Sequence, residues 1–236
     1  DCPPVAALSP VERGLWTKKL VMFDSMPLIL RGSNSRIGLQ SDPIGLIICD
    51  ERREWKPGAI ELVRKRLSTF HDSLEIGMGT AGVKDDELHA DFIAGSQTFF
   101  EFVCPSCGHS QPFRFGKKAD AIWEKPRDFG GIVWDENDLT RPDIQWDMAA
   151  VKPTVRYECE NADCKRRFMP AEKFALLRTL HPVHRNPDQF PEHISLHWNA
   201  LIMPWPDSDW PELAAEFLHG TEAIKRGDPE PLRSFI

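Results

Sequence analysis

Four cysteines set as two close pairs constrain this chain more than any other feature. The first pair is Cys104-Pro105-Ser106-Cys107, with Gly108 directly after it, and the second is Cys159-Glu160-Asn161-Ala162-Asp163-Cys164. A tight turn lets both sulfurs of a pair face one ion, and two such pairs complete a tetrahedral site. Thiolate donors exclude Mg2+ and Ca2+ and favour Zn2+ or iron. The same cysteines could instead form disulfides, act as redox thiols or pack as unrelated core residues. No signal-peptide pattern opens the chain, and thiols outside a secretory setting stay reduced, which favours metal. The reading is a structural Zn2+ on Cys104, Cys107, Cys159 and Cys164, a closed site that supports folding and has no open position for catalysis. His109 is surplus to four cysteines and is expected beside the ligands or in solvent. The stretch from Cys107 to Cys159 exceeds what a minimal zinc ribbon needs, so residues 116–150 are expected as an insertion between two hairpins.

Composition narrows the partners. With 29 Lys and Arg against 36 Asp and Glu, the formal charge is -7. That balance argues against coating nucleic acid by bulk electrostatics, while leaving room for a local basic loop. At 41% hydrophobic and 28% charged residues the chain reads as an ordinary soluble protein, and 236 residues allow one sizeable core or a domain with a small satellite. No apolar run approaches the length that crosses a bilayer.

Three apolar runs bounded by turn formers fill the first third: Met26–Leu30, Ile44–Cys49 and Leu74–Met78. Between the last two, Ile60, Leu62, Val63, Leu67 and Phe70 recur at helical spacing. Strand, helix, strand in that order implies a parallel sheet. Phe99–Phe115 alternates with period two around the first cysteine pair, as a hairpin does. Ala171–Leu180 is amphipathic, Met203–Pro211 is rich in Pro and Trp, and Trp210–Ile224 reads as a helix. Of Trp123, Trp134, Trp146, Trp198, Trp205 and Trp210, most are expected to pack, with Trp205 and Trp210 pinning the Pro-rich stretch.

The run Leu46-Ile47-Ile48-Cys49 ends in Asp50-Glu51. In P-loop ATPases the first acid of such a pair holds the Mg2+ that bridges the phosphates, and the second polarises the attacking water. Alternatively, both acids merely cap the next element in solvent. No G-x-x-x-x-G-K-[ST] loop occurs in the chain. A nucleotide site would therefore need a phosphate loop upstream of Asp1, and the absence of an initial Met fits a piece of something longer.

Taken in series, these pieces resemble the lambda-type tailed-phage terminase large subunit family. The matching text is Leu30-Arg31-Gly32-Ser33-Asn34-Ser35, the run ending Asp50-Glu51, the exit Gly79-Thr80, the knuckle Cys104–His109 followed by Gln111-Pro112, the second cysteine pair, and Ser195–Leu201 through Gly227-Asp228-Pro229. The resemblance implies that Asp50 coordinates Mg2+, that Glu51 is catalytic and that Thr80 sits in the motif coupling ATP hydrolysis to DNA movement. It also implies an endonuclease centre beyond Ile236, and duplex DNA, the portal protein and the small terminase subunit as partners. Homo-oligomer formation on the portal, the host cytoplasm as location and no membrane follow from the same likeness. Two departures stand out. The family's Thr-Pro-Thr-like exit reads Gly79-Thr80-Ala81-Gly82 here, and Arg52-Arg53 replace the acid often found after the catalytic Glu. Those arginines could meet phosphate or DNA, though solvent is the plainer expectation. Arg31, Ser33, Asn34 and Ser35 could bond phosphate or DNA, or form an ordinary turn.

The expected fold is α/β: a partial P-loop (ASCE-type) parallel sheet over 1–98, a four-cysteine zinc-ribbon module with its insertion over 99–180, and a helical bridge toward a nuclease domain over 181–236. Two rival readings are a non-enzymatic zinc-ribbon binding module and a helicase-like P-loop ATPase with a zinc insertion.

Overall fold

The structure, a computed structural model, describes residues 17–23, 26–34, 43–80, 85–116, 129–135, 146–229 and 231. The chain divides into two compact units, Asp1–His89 and Ala90–Ile236.

In the first unit, strands β1 (Leu20–Met22) and β2 (Pro27–Ile29) form an antiparallel ribbon. The Met26–Leu30 run therefore lies outside the parallel pairing. That pairing joins β3 (Leu46–Cys49) to β4 (Leu74–Gly77), in the register Leu46↔Leu74 and Ile48↔Ile76. Helix α1 (Ala59–Leu67) connects them and buries Ala59, Ile60, Val63 and Leu67, the one-sided face its spacing dictates. Ala59 and Val63 pack with Ile47 and Trp55. Arg64 on α1 clamps Glu75 on β4 with Nε and Nη2 at 2.7 and 3.0 Å, a bidentate pairing that holds helix to strand. On the opposite face of the pair, Leu46, Ile48, Leu74 and Ile76 are 39–56% exposed.

Helix α2 (Glu87–Ala94) spans the boundary between the units. The second unit is built on an aromatic nest. Phe102 stacks on Phe113 at 4.3 Å and meets Tyr157 and Phe168 edge-on, while Trp210 closes the nest from the C-terminal helix. All five rings are 0–1% exposed. They are brought together by two small sheets. Strands β5 (Thr98–Val103), β6 (Ser110–Pro112) and β10 (His181–His184) form one of them, in the order β10–β5–β6. Strands β7 (Gly131–Val133), β8 (Arg156–Glu158) and β9 (Arg167–Phe168) form the other, in the order β7–β8–β9. Short helices α3 (Met148–Val151) and α4 (Lys173–Leu177) precede the long α5 (Trp210–Lys225).

Helix α5 starts where its chemistry requires: Asp209 accepts from the Trp210 amide at 2.9 Å and Pro211 occupies the first turn. Leu213, Ala214 and Leu218 then point into the same core as Phe102. Residues of the 181–236 stretch thus complete this unit, since β10 pairs with β5 and α5 packs on the nest. Trp210 is fully buried, whereas Trp205 is 61% exposed and does not pin the Pro-rich stretch. Trp198 is also largely exposed, resting edge-on against Phe100. Trp134 and Trp146 pack partly buried on the core, and Trp123 lies outside the described residues.

Candidate metal centre and acidic rim

Strand β5 delivers Cys104 at its end, and a tight turn returns the chain into β6. The Cys104 amide donates to the His109 carbonyl at 2.9 Å and the Gly108 amide to the Cys104 carbonyl at 2.8 Å, with Gly108 at φ 71°. The second knuckle grows out of β8 in the same way. Cys159 donates to the Arg166 carbonyl at 2.8 Å, and Cys164 and Lys165 both donate to the Asn161 carbonyl. Each turn aims its two thiols to one side. The four sulfurs lie within 4.8 Å of one another, and across the knuckles Cys104–Cys164 and Cys107–Cys159 are each 3.9 Å apart.

That spacing tests the metal reading. A zinc–sulfur bond of about 2.3 Å in tetrahedral geometry gives sulfur–sulfur edges of about 3.8 Å. A disulfide needs about 2.05 Å, and all four cysteines are free thiols. The donor set fits a four-thiolate Zn2+ with no coordination position left over. The thiols themselves are shifted in opposite directions: the His109 amide pulls Cys107 down to about 7, while burial pushes Cys159 up to about 12. A cation among the sulfurs would reverse that burial penalty, because its charge favours thiolate outright.

The surroundings tie the knuckles together. Arg166 donates to Ser106 Oγ on the first knuckle and to Glu172, both at 2.7 Å. His109 sits 3.3 Å from the Glu160 carboxylate, next to the ligands rather than among them. Gln111, fully buried, donates to Cys159 Sγ at 3.1 Å. The cysteine spacing singles out neither Arg166 nor Gln111. The signals in the chain are their place two residues past Cys164 and four past Cys107 and, for Gln111, the Gln111-Pro112 step in the family resemblance, none of which says what they touch.

In the first unit, Asp50 and Glu51 follow β3 without a break and are both exposed. Beyond the strands the lacing continues: Met78 donates to the Cys49 carbonyl and Arg52 to the Met78 carbonyl, each at 2.9 Å. Asp50-Glu51 and Gly79-Thr80 therefore leave the parallel pair at one carboxyl edge. A side chain at 79 would press on the Arg52 amide at 3.2 Å, and one at 77 on its guanidinium at 2.8 Å, which is why glycines flank this crossing. Glu51 takes a left-handed backbone, φ 44° and ψ 48°, which costs a non-glycine residue about 1 kcal/mol. The Glu51 amide donates to Asp50 Oδ1 at 3.0 Å, and Trp55 Nε1 donates to the Asp50 carbonyl at 2.9 Å. Cys49, immediately before, is an inert buried thiol pushed up to about 11 by desolvation.

Arg52 corrects the expectation of a solvent-facing pair. It is 6% exposed and its guanidinium lies 3.5 Å from Glu75, whereas Arg53 is exposed. Thr80 is exposed at the rim. Arg31, Ser33 and Asn34 lie just past β2, with Ser33 and Asn34 in a turn, on the antiparallel ribbon rather than the parallel pair. Ser35 lies outside the described residues.

A family model for the phage terminase large subunit gpA ATPase domain matches residues 8–179, well over half of the chain. The chain belongs to this family. Comparison with curated proteins and with solved structures finds no match. The matched stretch takes in the acidic rim and all four cysteines. As a terminase ATPase-domain family, it entails ATP and Mg2+ use and work on DNA within packaging machinery. The described residues are mixed α/β, with one parallel strand pair among them and a cysteine cluster able to hold a metal. Among the described residues no helix is long and apolar enough to cross a membrane.

Proposed function

We propose that this chain is the part of a terminase motor in which the acids of ATP hydrolysis and the element that transmits hydrolysis to DNA share one sheet edge. The supporting observation is the common exit of Asp50-Glu51 and Gly79-Thr80 from β3 and β4, inside the family match. The strand–helix–strand unit is then the Walker B portion of a P-loop (ASCE-type) sheet within residues 1–98. A zinc ribbon occupies 99–180; residues of 181–236 close the same unit through β10 and α5 and lead on toward the nuclease part of the intact protein.

Mg2+, bound with ATP, supplies charge neutralisation for the departing phosphates. Asp50 would hold that ion through its waters. Glu51 orients the attacking water and takes its proton at a carboxylate oxygen. The strained backbone at Glu51 supports this role, since such conformations persist where surrounding structure holds a functional side chain in place. Thr80, at the same rim, relays the change to the DNA-gripping parts. Arg31, Ser33, Asn34 and Ser35 are proposed phosphate or DNA contacts. In the intact protein the product is duplex DNA driven into a procapsid, with concatemers cut by an endonuclease centre. The portal protein and the small terminase subunit are the partners, the working state is a homo-oligomer on the portal, and the place is the host cytoplasm.

Two measurements test this reading. In the intact protein, Thr80→Ala should leave ATP turnover within about threefold of the parent, while DNase-protected DNA falls by about tenfold or more. Equal packaging by both proteins would remove Thr80 from the coupling path. Elemental analysis of the purified chain should find about one zinc per chain, the stoichiometry of a closed four-thiolate site. A stably folded, metal-free chain would overturn the zinc assignment.

A further inference from the structure

Gln111 stands on β6, the return strand of the first knuckle, and is completely buried. Both ends of its amide are spent on the second knuckle. Nε2 donates to Cys159 Sγ at 3.1 Å, and Oε1 accepts from the Glu160 backbone amide at 2.8 Å. A buried carboxamide is costly unless both ends are satisfied, and here both partners belong to the hairpin carrying the other cysteine pair. The two pairs come from different sheets, β10–β5–β6 and β7–β8–β9. Gln111 is thus a strap between the halves of the site, and it meets Cys159, which like Cys104 is wholly buried, rather than the exposed Cys107.

From this geometry we infer that Gln111 is a positioning residue of the metal centre: it holds Cys159 Sγ and the Glu160 turn in ligating geometry before the ion arrives and sets how tightly the ion is kept. The inference rests on the four-cysteine metal reading above. An N–H donor on a thiolate draws charge off sulfur and fixes the direction of its lone pairs, so one side chain controls both orientation and electronics. Groups of this kind typically change metal affinity by about 10–100-fold when removed. The neighbouring Glu160 carboxylate, 3.3 Å from His109 and 3.7 Å from Arg114, is an acceptor and offers no donor to sulfur in place of the amide.

The test loads the purified full chain with Co2+, whose absorption reports the ligands directly, and measures transfer of the ion to a chromophoric chelator. Parent chain and two variants are compared. Gln111→Met removes both amide ends at similar volume, and Gln111→Glu keeps the acceptor for the Glu160 amide but loses the donor to sulfur. Both variants should keep the intense visible bands of four-thiolate tetrahedral Co2+. Both should move the sulfur-to-metal charge-transfer band to lower energy and release the ion about tenfold faster. A purely structural role would not move that band. Bands and release rates identical to the parent in both variants would overturn the inference while leaving the metal site standing. Failure of the parent chain itself to give the four-thiolate spectrum would overturn the metal reading, and the role of Gln111 with it.

Discussion

If the proposed zinc is bound, Cys159→Ser should abolish its binding by the purified chain and lower the melting temperature of the second unit by more than about 10 °C, the scale on which a few kcal/mol moves a domain of this size. The reason is that the cysteine cluster and the core are one object. Cys104 and Cys159 belong to the same buried cluster as Phe102, Phe113, Tyr157, Phe168 and Trp210, so the ligands cannot relax without opening the nest. Binding of structural zinc is worth on the order of 10 kcal/mol in small zinc-dependent domains, comparable to the whole stability of a typical domain. The aromatic nest retains part of that here, so partial loss of structure is expected rather than a random coil. Serine keeps the volume and can still accept from Gln111, which confines the change to the lost thiolate. Cys49→Ser is the matched control, a buried free thiol at the end of β3 with no sulfur neighbour in the metal cluster. It should leave zinc content untouched. Zinc by elemental analysis and unfolding by circular dichroism, with and without chelator, decide the matter: a Cys159→Ser chain with full zinc and an unchanged melt refutes the four-cysteine site.

What can be read in advance follows the range of the interactions. The cysteine knuckles are legible because metal geometry is local, and a C-x-x-C turn followed by Gly108 needs nothing distant to form. The β3–α1–β4 order is legible because Ile60, Val63 and Leu67 carry the helical period within one segment. Strand β7 is not. It has three residues and is held by distant backbone: its start, Gly131, packs against Phe115, and Gly130 against Glu160. Arg52 misleads because a charged residue after an apolar strand reads as solvated, and only the parallel register reveals Glu75 as its partner. Trp205 and Trp210 look alike in a Pro-rich stretch, yet Asp209 caps the helix between them and turns only Trp210 inward. The role of Gln111, though the residue stands in the family resemblance, is unreadable for the same reason as β7: it exists only once two sheets meet.

On the roles proposed for the two acids, Glu51→Gln in the intact protein should reduce ATP turnover by about a thousandfold while leaving nucleotide affinity within a few-fold, since removal of a general base costs about 10²–10⁴ in rate. The amide is isosteric with the carboxylate and leaves the backbone N–H at 51 free to donate to Asp50 Oδ1 as before, so the rim keeps its shape and loses only the carboxylate proposed to accept a proton. Asp50→Asn separates the two acids, because weakening the hold on the ion raises the Mg2+ concentration needed for turnover, whereas the Glu51 variant cannot be rescued by Mg2+. The backbone supplies a further discriminator. At φ 44° a glycine is relieved of strain worth about 1 kcal/mol, so Glu51→Gly should be as stable as the parent or slightly more so, and equally dead. Loss of activity together with preserved or increased stability marks a residue kept for chemistry rather than for folding. Turnover by Glu51→Gln within tenfold of the parent would leave the acids as a surface cap on an ordinary parallel strand, and the source of hydrolysis would have to be sought away from β3.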